Sequence, residues 1–313
     1  MFSNFIVAVS AVIPIFVLIG VGLFVKHARL MTPTELKHMN SMVFKVFFFC
    51  MMFSNIYRAD FEDGFDPSLV VFGMASVTAL FLAAVAFSLW FEKDNPKRGT
   101  MVQAIFRSNF VILGIPIVVN IFGEEAAVIP TMMIAAIVPL YNIYAVLELE
   151  SFRGGKFELV PILVRVLKNP MIDGIILGAL CRFLPFPIPD PILKPIAQIG
   201  TSTTPVALII LGASFEKGGI ADSRRDLWAC TIARLIVAPA IMLSLGAALG
   251  FRDAEFVTLI AIFATPCAVA SYAMAQQMGG DAPLAGNCVV FTSALSAFTM
   301  FGWIFVTKTM GLF

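Results

Sequence analysis

The sequence predicts an all-α membrane protein: ten transmembrane helices in two inverted five-helix repeats, with broken fourth and ninth helices that cross. Three observations lead there. Apolar residues fill 59% of the 313 positions and charged residues only 13%, where a soluble domain carries about 25% charged, so lipid must solvate much of the surface. Six runs exceed 20 residues without a formal charge: Asn4–Val25, Pro67–Phe91, Ala126–Leu147, Pro195–Phe215, Phe256–Gly280 and Ala282–Thr307. About 20 helical residues cross a hydrocarbon core of roughly 30 Å. Prolines sit mid-span at matched places in the two halves, at Pro116 and Pro266.

The first span, 5–26, exceeds the 7–15-residue apolar stretch of a secretory signal, has no basic segment before it and no small-x-small site after it. It is expected to remain as a helix. The second, 39–57, carries Lys45, and the third, 67–91, carries no charge. The fourth, 101–122, holds Arg107 and Pro116; the fifth covers 126–148. A loop at 149–169 follows, with a short interfacial helix expected at 157–167. The second half has spans at 170–184, 193–215, 227–250 (with Arg234), 255–278 (with Pro266) and 283–308. The Pro, Gly and Ser within these runs are tolerated in membrane helices. Residues 1–150 form one repeat, 151–169 the connection and 170–313 the second repeat.

Positive charge sets the orientation. The loops spanning 26–37, 93–98, 153–168 and 217–225 carry thirteen Lys and Arg; those on the other side carry five, and Lys45, Arg107 and Arg234 lie within spans. By the positive-inside rule the first set is cytoplasmic, and both termini lie outside a plasma (inner) membrane. Same-side termini require an even number of spans.

Five spans per half turn the second half over relative to the first. A mid-helix proline removes a backbone hydrogen bond, and in lipid the freed groups need protein or cavity water. Breaks at Pro116 and Pro266 would therefore face inward and cross, each exposing a half-helix N-terminus that favours an anion. Polar residues gather nearby: Arg107, Ser108 and Asn109 before Pro116; Thr265, Ser271, Tyr272 and Gln276 around Pro266; Asn142 in the fifth span. Arg107 reads equally as snorkelling to the cytoplasmic interface or as facing an anion. Lys45 and Arg234 lie deeper and could meet backbone carbonyls, a carboxylate or substrate. Glu148 and Asp173, flanking the connecting loop, read as interfacial.

Several chemistries lack a motif. There is no phosphate-binding G-x-x-x-x-G-K-[ST] and no H-E-x-x-H, and no mid-span Asp-Asp or Asp-Asn pair. Cys50, Cys181, Cys230, Cys267 and Cys288 fall within apolar segments with no C-x-x-C and read as small buried hydrophobes. No catalysis, cofactor, metal or nucleic-acid partner is expected.

The segments Phe44–Asn55, Asn109–Ile117, Pro139–Asn142, Lys168–Pro170, Thr204–Ser214, Arg234–Pro239 and Thr265–Gln276, in this order along the whole chain, resemble the auxin efflux carrier family. That family holds plant auxin exporters and bacterial malonate or malate permeases. The resemblance implies ten helices in inverted repeats, a scaffold that often dimerises, a mobile part with the crossed helices, and elevator-like alternating access. It places substrate beside the crossover at Asn109, Pro116, Asn142 and Pro266. Where bacterial members commonly have a second-helix proline, this chain has Cys50, so a break there is open. The plant members' long cytoplasmic loop is missing. Together with the residues, this gives a secondary carrier of a small mono- or dicarboxylate, bound around Arg107, Asn109, Pro116, Asn142, Thr265, Pro266, Ser271 and Gln276. A passive anion pore is the alternative, and the coupling ion, proton or sodium, is open.

Overall fold

The computed structural model describes residues 2–58, 67–153, 159–184, 187–215 and 223–313, with side chains described from Val12 onwards and not at 159. Among these residues there are helices and no strands. In chain order they are α1 (Phe2–His27), α2 (Pro33–Tyr57), α3 (Pro67–Phe91), α4 (Asn95–Phe106) and α5 (Phe110–Phe122). There follow α6 (Val128–Phe152), α7 (Leu159–Leu167), α8 (Pro170–Arg182), α9 (Asp190–Ser214) and α10 (Arg224–Ala248). The chain closes with α11 (Asp253–Ala264), α12 (Ala270–Met278) and α13 (Ala282–Thr309). Among the described residues six stretches are long and apolar enough to cross a membrane: α2, α3, α6 with the 3-10 turn before it, α9, α10 and α13. Lys156, Lys217 and residues 157–158, used in the sequence reading, lie outside the described residues.

Helix starts follow local chemistry. Thr32 and Glu35 form a capping box ahead of Pro33, with the Thr32 amide donating to Glu35 Oε2 at 2.6 Å. Asn169 accepts from the Met171 amide at 3.0 Å, and Asp281 from the Leu284 amide at 2.8 Å, each with a proline in the first turn that follows. Side-chain acceptors satisfy amides the helix cannot, and proline fits where no amide is needed. The short helix α7 turns Val160, Leu163, Val164 and Leu167 outward, as an interfacial helix does.

Loops assigned to one side do meet. Lys97 pairs with Asp226, Arg225 stacks on Phe91 and donates to its carbonyl, and Lys26 donates to the Phe215 carbonyl. At the opposite end the Tyr57 hydroxyl accepts from the Ile188 amide, and the Asp253 amide donates to the Leu312 carbonyl.

Packing divides the helices. One group, α1, α2, α8 and α9, packs mainly on itself; the other surrounds α4, α5, α11 and α12. The α1–α9 contact is backbone on backbone: a Cβ on Gly22 would collide with the Ile209 carbonyl, and one on Gly212 with the Ile19 carbonyl. Small residues permit such approach between membrane helices. Gly212→Val is expected to lower the thermal unfolding midpoint in detergent by roughly 3–10 °C. An unchanged midpoint would show that these helices tolerate separation.

One point that the sequence left open is decided, and two expectations, for Pro116 and Glu148, are corrected. Helix α2 runs through Cys50 without a break, and carries instead a π turn at Val43–Phe47; α10 has another at Ala233–Val237. Such wide turns mark inserted or functional positions in helices. Lys45 on the first is exposed and has no bond among the described residues, whereas Arg234 on the second is fully buried. Pro116 does not break the fourth span. It lies exposed inside α5, and the Asn120 amide donates to its carbonyl at 2.9 Å. Glu148 is not interfacial: it is 3% exposed. Asp173 is exposed.

Candidate functional site

Two helices are interrupted, and the interruptions touch. Between α4 and α5, Arg107 is extended (φ −91°, ψ 111°); after α11, Thr265 is extended (φ −72°, ψ 156°). Thr265 precedes Pro266, and the proline ring excludes the helical region for the residue before it. The two stretches pair as a one-residue antiparallel bridge, Ser108 against Cys267. The Asn109 amide donates to the Pro266 carbonyl at 2.8 Å, and the Ala268 amide to the Arg107 carbonyl at 3.1 Å. Each break thus satisfies amide and carbonyl groups of the other, as water-free surroundings demand.

The carbonyls ending α4 and α11 would still lack partners. Arg234 supplies them. Its guanidinium donates to the carbonyls of Thr265 (2.8 Å), Ile262 (2.9 Å), Ile105 (3.2 Å) and Phe106 (3.3 Å). A planar five-donor fork is the one side chain that reaches four carbonyls from one point. One positive charge therefore sits on the negative ends of two helix dipoles, while the positive ends, at the starts of α5 and α12, are left uncompensated.

Arg107, 4% exposed, does not snorkel. It donates to Asn142 Oδ1, to Met274 Sδ at 2.7 Å and, at 3.5 Å, to Gln103 Oε1. Asn142 also donates to the Val138 carbonyl at 2.8 Å. Asn109 begins α5 with its side-chain nitrogen buried and unbonded among the described residues. Ser108 shares a hydrogen bond with Tyr141 at 3.0 Å, and the Cys267 amide donates to Thr292 at 3.0 Å.

The structure therefore brings Arg107, Asn109, Asn142, Thr265 and Pro266 together, with Ser271 in the first turn of α12. Thr265 bonds the Ala261 carbonyl of its own helix at 2.8 Å, leaving its backbone as its contribution to the crossing. Gln276, half-buried further along α12, donates to the Tyr272 hydroxyl at 3.2 Å. Pro116 stands two turns into α5 and away from the crossing.

A cavity of about 370 Å³ lies where the two helix groups meet. Pro14, Ile15 and Leu18 of α1, Met51, Ser54 and Asn55 of α2, and Thr201, Thr204, Pro205 and Leu208 of α9 face Val111 and Ile112 of α5. Its wall is apolar with a few hydroxyl and amide groups and no ionisable side chain. Val111 and Ile112, in the first turn of α5, bring the wall of the cavity within a few residues of Asn109, which does not itself line it. Sequence reasoning singled out neither Asn55 nor Thr201. The available signal was a polar residue within an otherwise apolar stretch of each of two spans. No group of three or more His, Cys, Asp or Glu side chains suited to a metal occurs among the described residues.

Comparison with known proteins agrees with this architecture. The model of a family described as membrane transport protein matches residues 7–161 and 156–304. A transporter of Methanothermobacter thermautotrophicus is 22% identical over 304 residues, covering 96% of this chain and 98% of that protein. A transporter of Methanocaldococcus jannaschii is 23% identical, covering 95% and 99%. A Rhizobium meliloti protein named "Putative malonate transporter" is 22% identical, covering 96% of each.

Proposed function

The chain belongs to the membrane transport protein family, that of the auxin efflux carriers, and from that premise we propose that it is a secondary active transporter of a small organic monoanion. The observation that carries the proposal is the crossover, where Arg234 neutralises two negative helix ends and leaves two positive ends facing inward. Such half-helix N-termini receive carboxylates in other carriers. Asn109 supplies a directional donor, and Arg107 lies behind it as the nearest full positive charge. The cavity's largely apolar wall, with no cation of its own, suits one carboxylate on an apolar body better than a dicarboxylate.

Element bounds support a two-repeat reading. A shift of 159 residues carries Ser108 onto Cys267. It also lays α4 over α11 and α3 over α10 within about two residues, the usual uncertainty of helix ends, and starts α5 one residue from the start of α12. We read the chain as two inverted five-span repeats, 1–150 and 170–313, and this correspondence supports that reading. Elevator movement has the α4–α5 and α11–α12 crossing slide against α1, α2, α8 and α9, with the cavity at their boundary. We place the carrier in the plasma (inner) membrane with both termini outside, and as a homodimer through the α1, α2, α8 and α9 side.

The test is counterflow in proteoliposomes with labelled lactate, pyruvate, phenylacetate, indole-3-acetate, malonate and malate. At least one monocarboxylate is expected to exchange against its unlabelled self with saturation, and Asn109→Ala to slow that exchange at least about tenfold. Malonate as sole substrate would overturn the monoanion reading. Flux without counterflow would identify a pore.

Pro116→Ala is expected to leave exchange within about twofold and to raise the unfolding midpoint slightly, because helix-interior proline costs about 3 kcal/mol in water and less where its face is exposed to lipid. A tenfold loss would return Pro116 to the binding site.

A further inference from the structure

Glu148 has no part in the site described so far, yet it is 3% exposed and, among the described residues, neither carboxylate oxygen has a hydrogen-bond partner of good geometry. Its position is built. A Cβ on Gly99 of α4 would lie 3.2 Å from Glu148 Oε2, so absence of a side chain at 99 makes room for the carboxylate. One turn further along α4 the Gln103 amide nitrogen, also unbonded, lies beside Glu148. One more turn brings Arg107, which bonds Gln103 Oε1 and Asn142. Gly99, Gln103 and Arg107, the residue that caps α4, thus lie in one line. Facing it, Asn142 and Glu148 of α6 stand about 9 Å apart along the axis. A continuous polar seam links Glu148 to the crossover.

The charges along that seam can be counted. Among the described residues, Arg107 is the charged group that this seam joins to Glu148, through Gln103; Arg98, beside Gly99, is turned to the Glu92 and Leu89 carbonyls and to Asn95. Other ionisable groups nearby are engaged elsewhere: Arg165 of α7 and Arg153 hold Glu150, at 2.6 and 3.2 Å, and Lys97 of α4 holds Asp226 at 3.4 Å. Helices α3 and α5 carry no ionisable side chain. The charge of Arg234, the other buried cation at the crossover, is taken up by the two negative helix ends it sits on, so with Glu148 ionised the Arg107–Glu148 pair is neutral. With an anion at the crossover and Glu148 still ionised, the seam holds a net negative charge; protonating Glu148 cancels it. With Glu148 protonated and no anion, Arg107 is uncompensated. A net charge in the membrane interior costs several kcal/mol, whereas neutral states do not bear that cost.

We propose that Glu148 is the proton-binding site of this carrier, and that one proton on its carboxylate accompanies each monoanion. The inference rests on the transport reading above. Only two states are neutral, empty with ionised Glu148 and loaded with protonated Glu148, and these two cross. The proton comes from water on one side, bonds a Glu148 oxygen, and returns to water on the other side when the anion leaves. Movement is electroneutral, and acid on one side drives accumulation on the opposite side.

The experiment uses the full-length protein in proteoliposomes, with labelled pyruvate, whose passive leak is measured in protein-free vesicles, or the panel member that shows counterflow. Wild-type protein is expected to accumulate the probe up to about tenfold down a one-unit inward proton gradient, since a pH unit is tenfold in proton activity and coupling is one to one. A potassium-diffusion potential should change this little. Glu148→Gln keeps the loaded state neutral and makes the empty state charged, so accumulation is lost while exchange persists. As a measurement on unaltered protein, a pH dye should report one proton entering per monoanion. Counterflow with no pH-driven accumulation in wild type, or accumulation unchanged in Glu148→Gln, overturns the proton site and leaves the transport reading standing. Absence of counterflow for every probe overturns the transport reading first.

Discussion

Arg234→Met is expected to lower the thermal unfolding midpoint in detergent by roughly 10 °C or more and to abolish exchange. Four carbonyls accept from this one guanidinium, and none has a helical partner because both α4 and α11 stop there. Methionine matches much of the volume and supplies no donor. Each orphaned buried carbonyl costs about 1–3 kcal/mol, partly relieved by relaxation, so the total falls near 3–5 kcal/mol. Arg234→Lys keeps the charge and loses the fork, and is expected to recover about half of the loss. A second consequence is electrostatic: without this charge, two negative helix ends face the crossing and oppose an anion. A methionine variant that melts normally and still exchanges anions would show that the crossover is held by something other than these bonds.

The second large effect concerns Arg107. Arg107→Gln is expected to slow exchange at least about 100-fold, the size of a lost charge-assisted contact of about 3 kcal/mol. Its structural bonds are few, to Asn142, Met274 and Gln103, so the folded protein should persist. It would do so at a cost, because Glu148 would stand as a lone buried charge. Adding Glu148→Gln to Arg107→Gln is therefore expected to restore stability without restoring exchange. Thermal unfolding of the two single variants and the double variant measures this coupling. Additive effects would mean that the two side chains do not act on each other, and retained exchange in Arg107→Gln would remove it from the anion's path.

Much of the architecture was legible before any coordinates. The uncharged runs mark the spans, because a charge in lipid is costly enough to leave a trace along the chain. The break at Pro266 was legible for a local reason: Thr265 cannot be helical before a proline. The break at Arg107–Asn109 was not. No glycine or proline stands there, and the chain opens because its backbone pairs with residues 266–268, far off in sequence. Pro116 drew the reading away because a mid-helix proline is the stronger local sign, yet one missing hydrogen bond inside a supported helix does not open it. Glu148 was misread for a related reason. Its place beside a charged loop suggested an interface, and only the missing side chain at Gly99 allows α4 to cover it. Arg234 was marked as a deep charge that could meet carbonyls, but nothing in the sequence told which carbonyls.

By itself the sequence determined that this is a helical protein with several spans apolar enough for lipid, and that Lys45, Arg107 and Arg234 lie within them. Those properties belong to single residues and their near neighbours, through transfer energy and helix rise. The tertiary structure alone decided where the fourth span opens, which backbone groups Arg234 satisfies, where the cavity lies and that Glu148 is buried. These depend on distant segments coming within bonding distance, and a hydrogen bond specifies partners that hydropathy cannot.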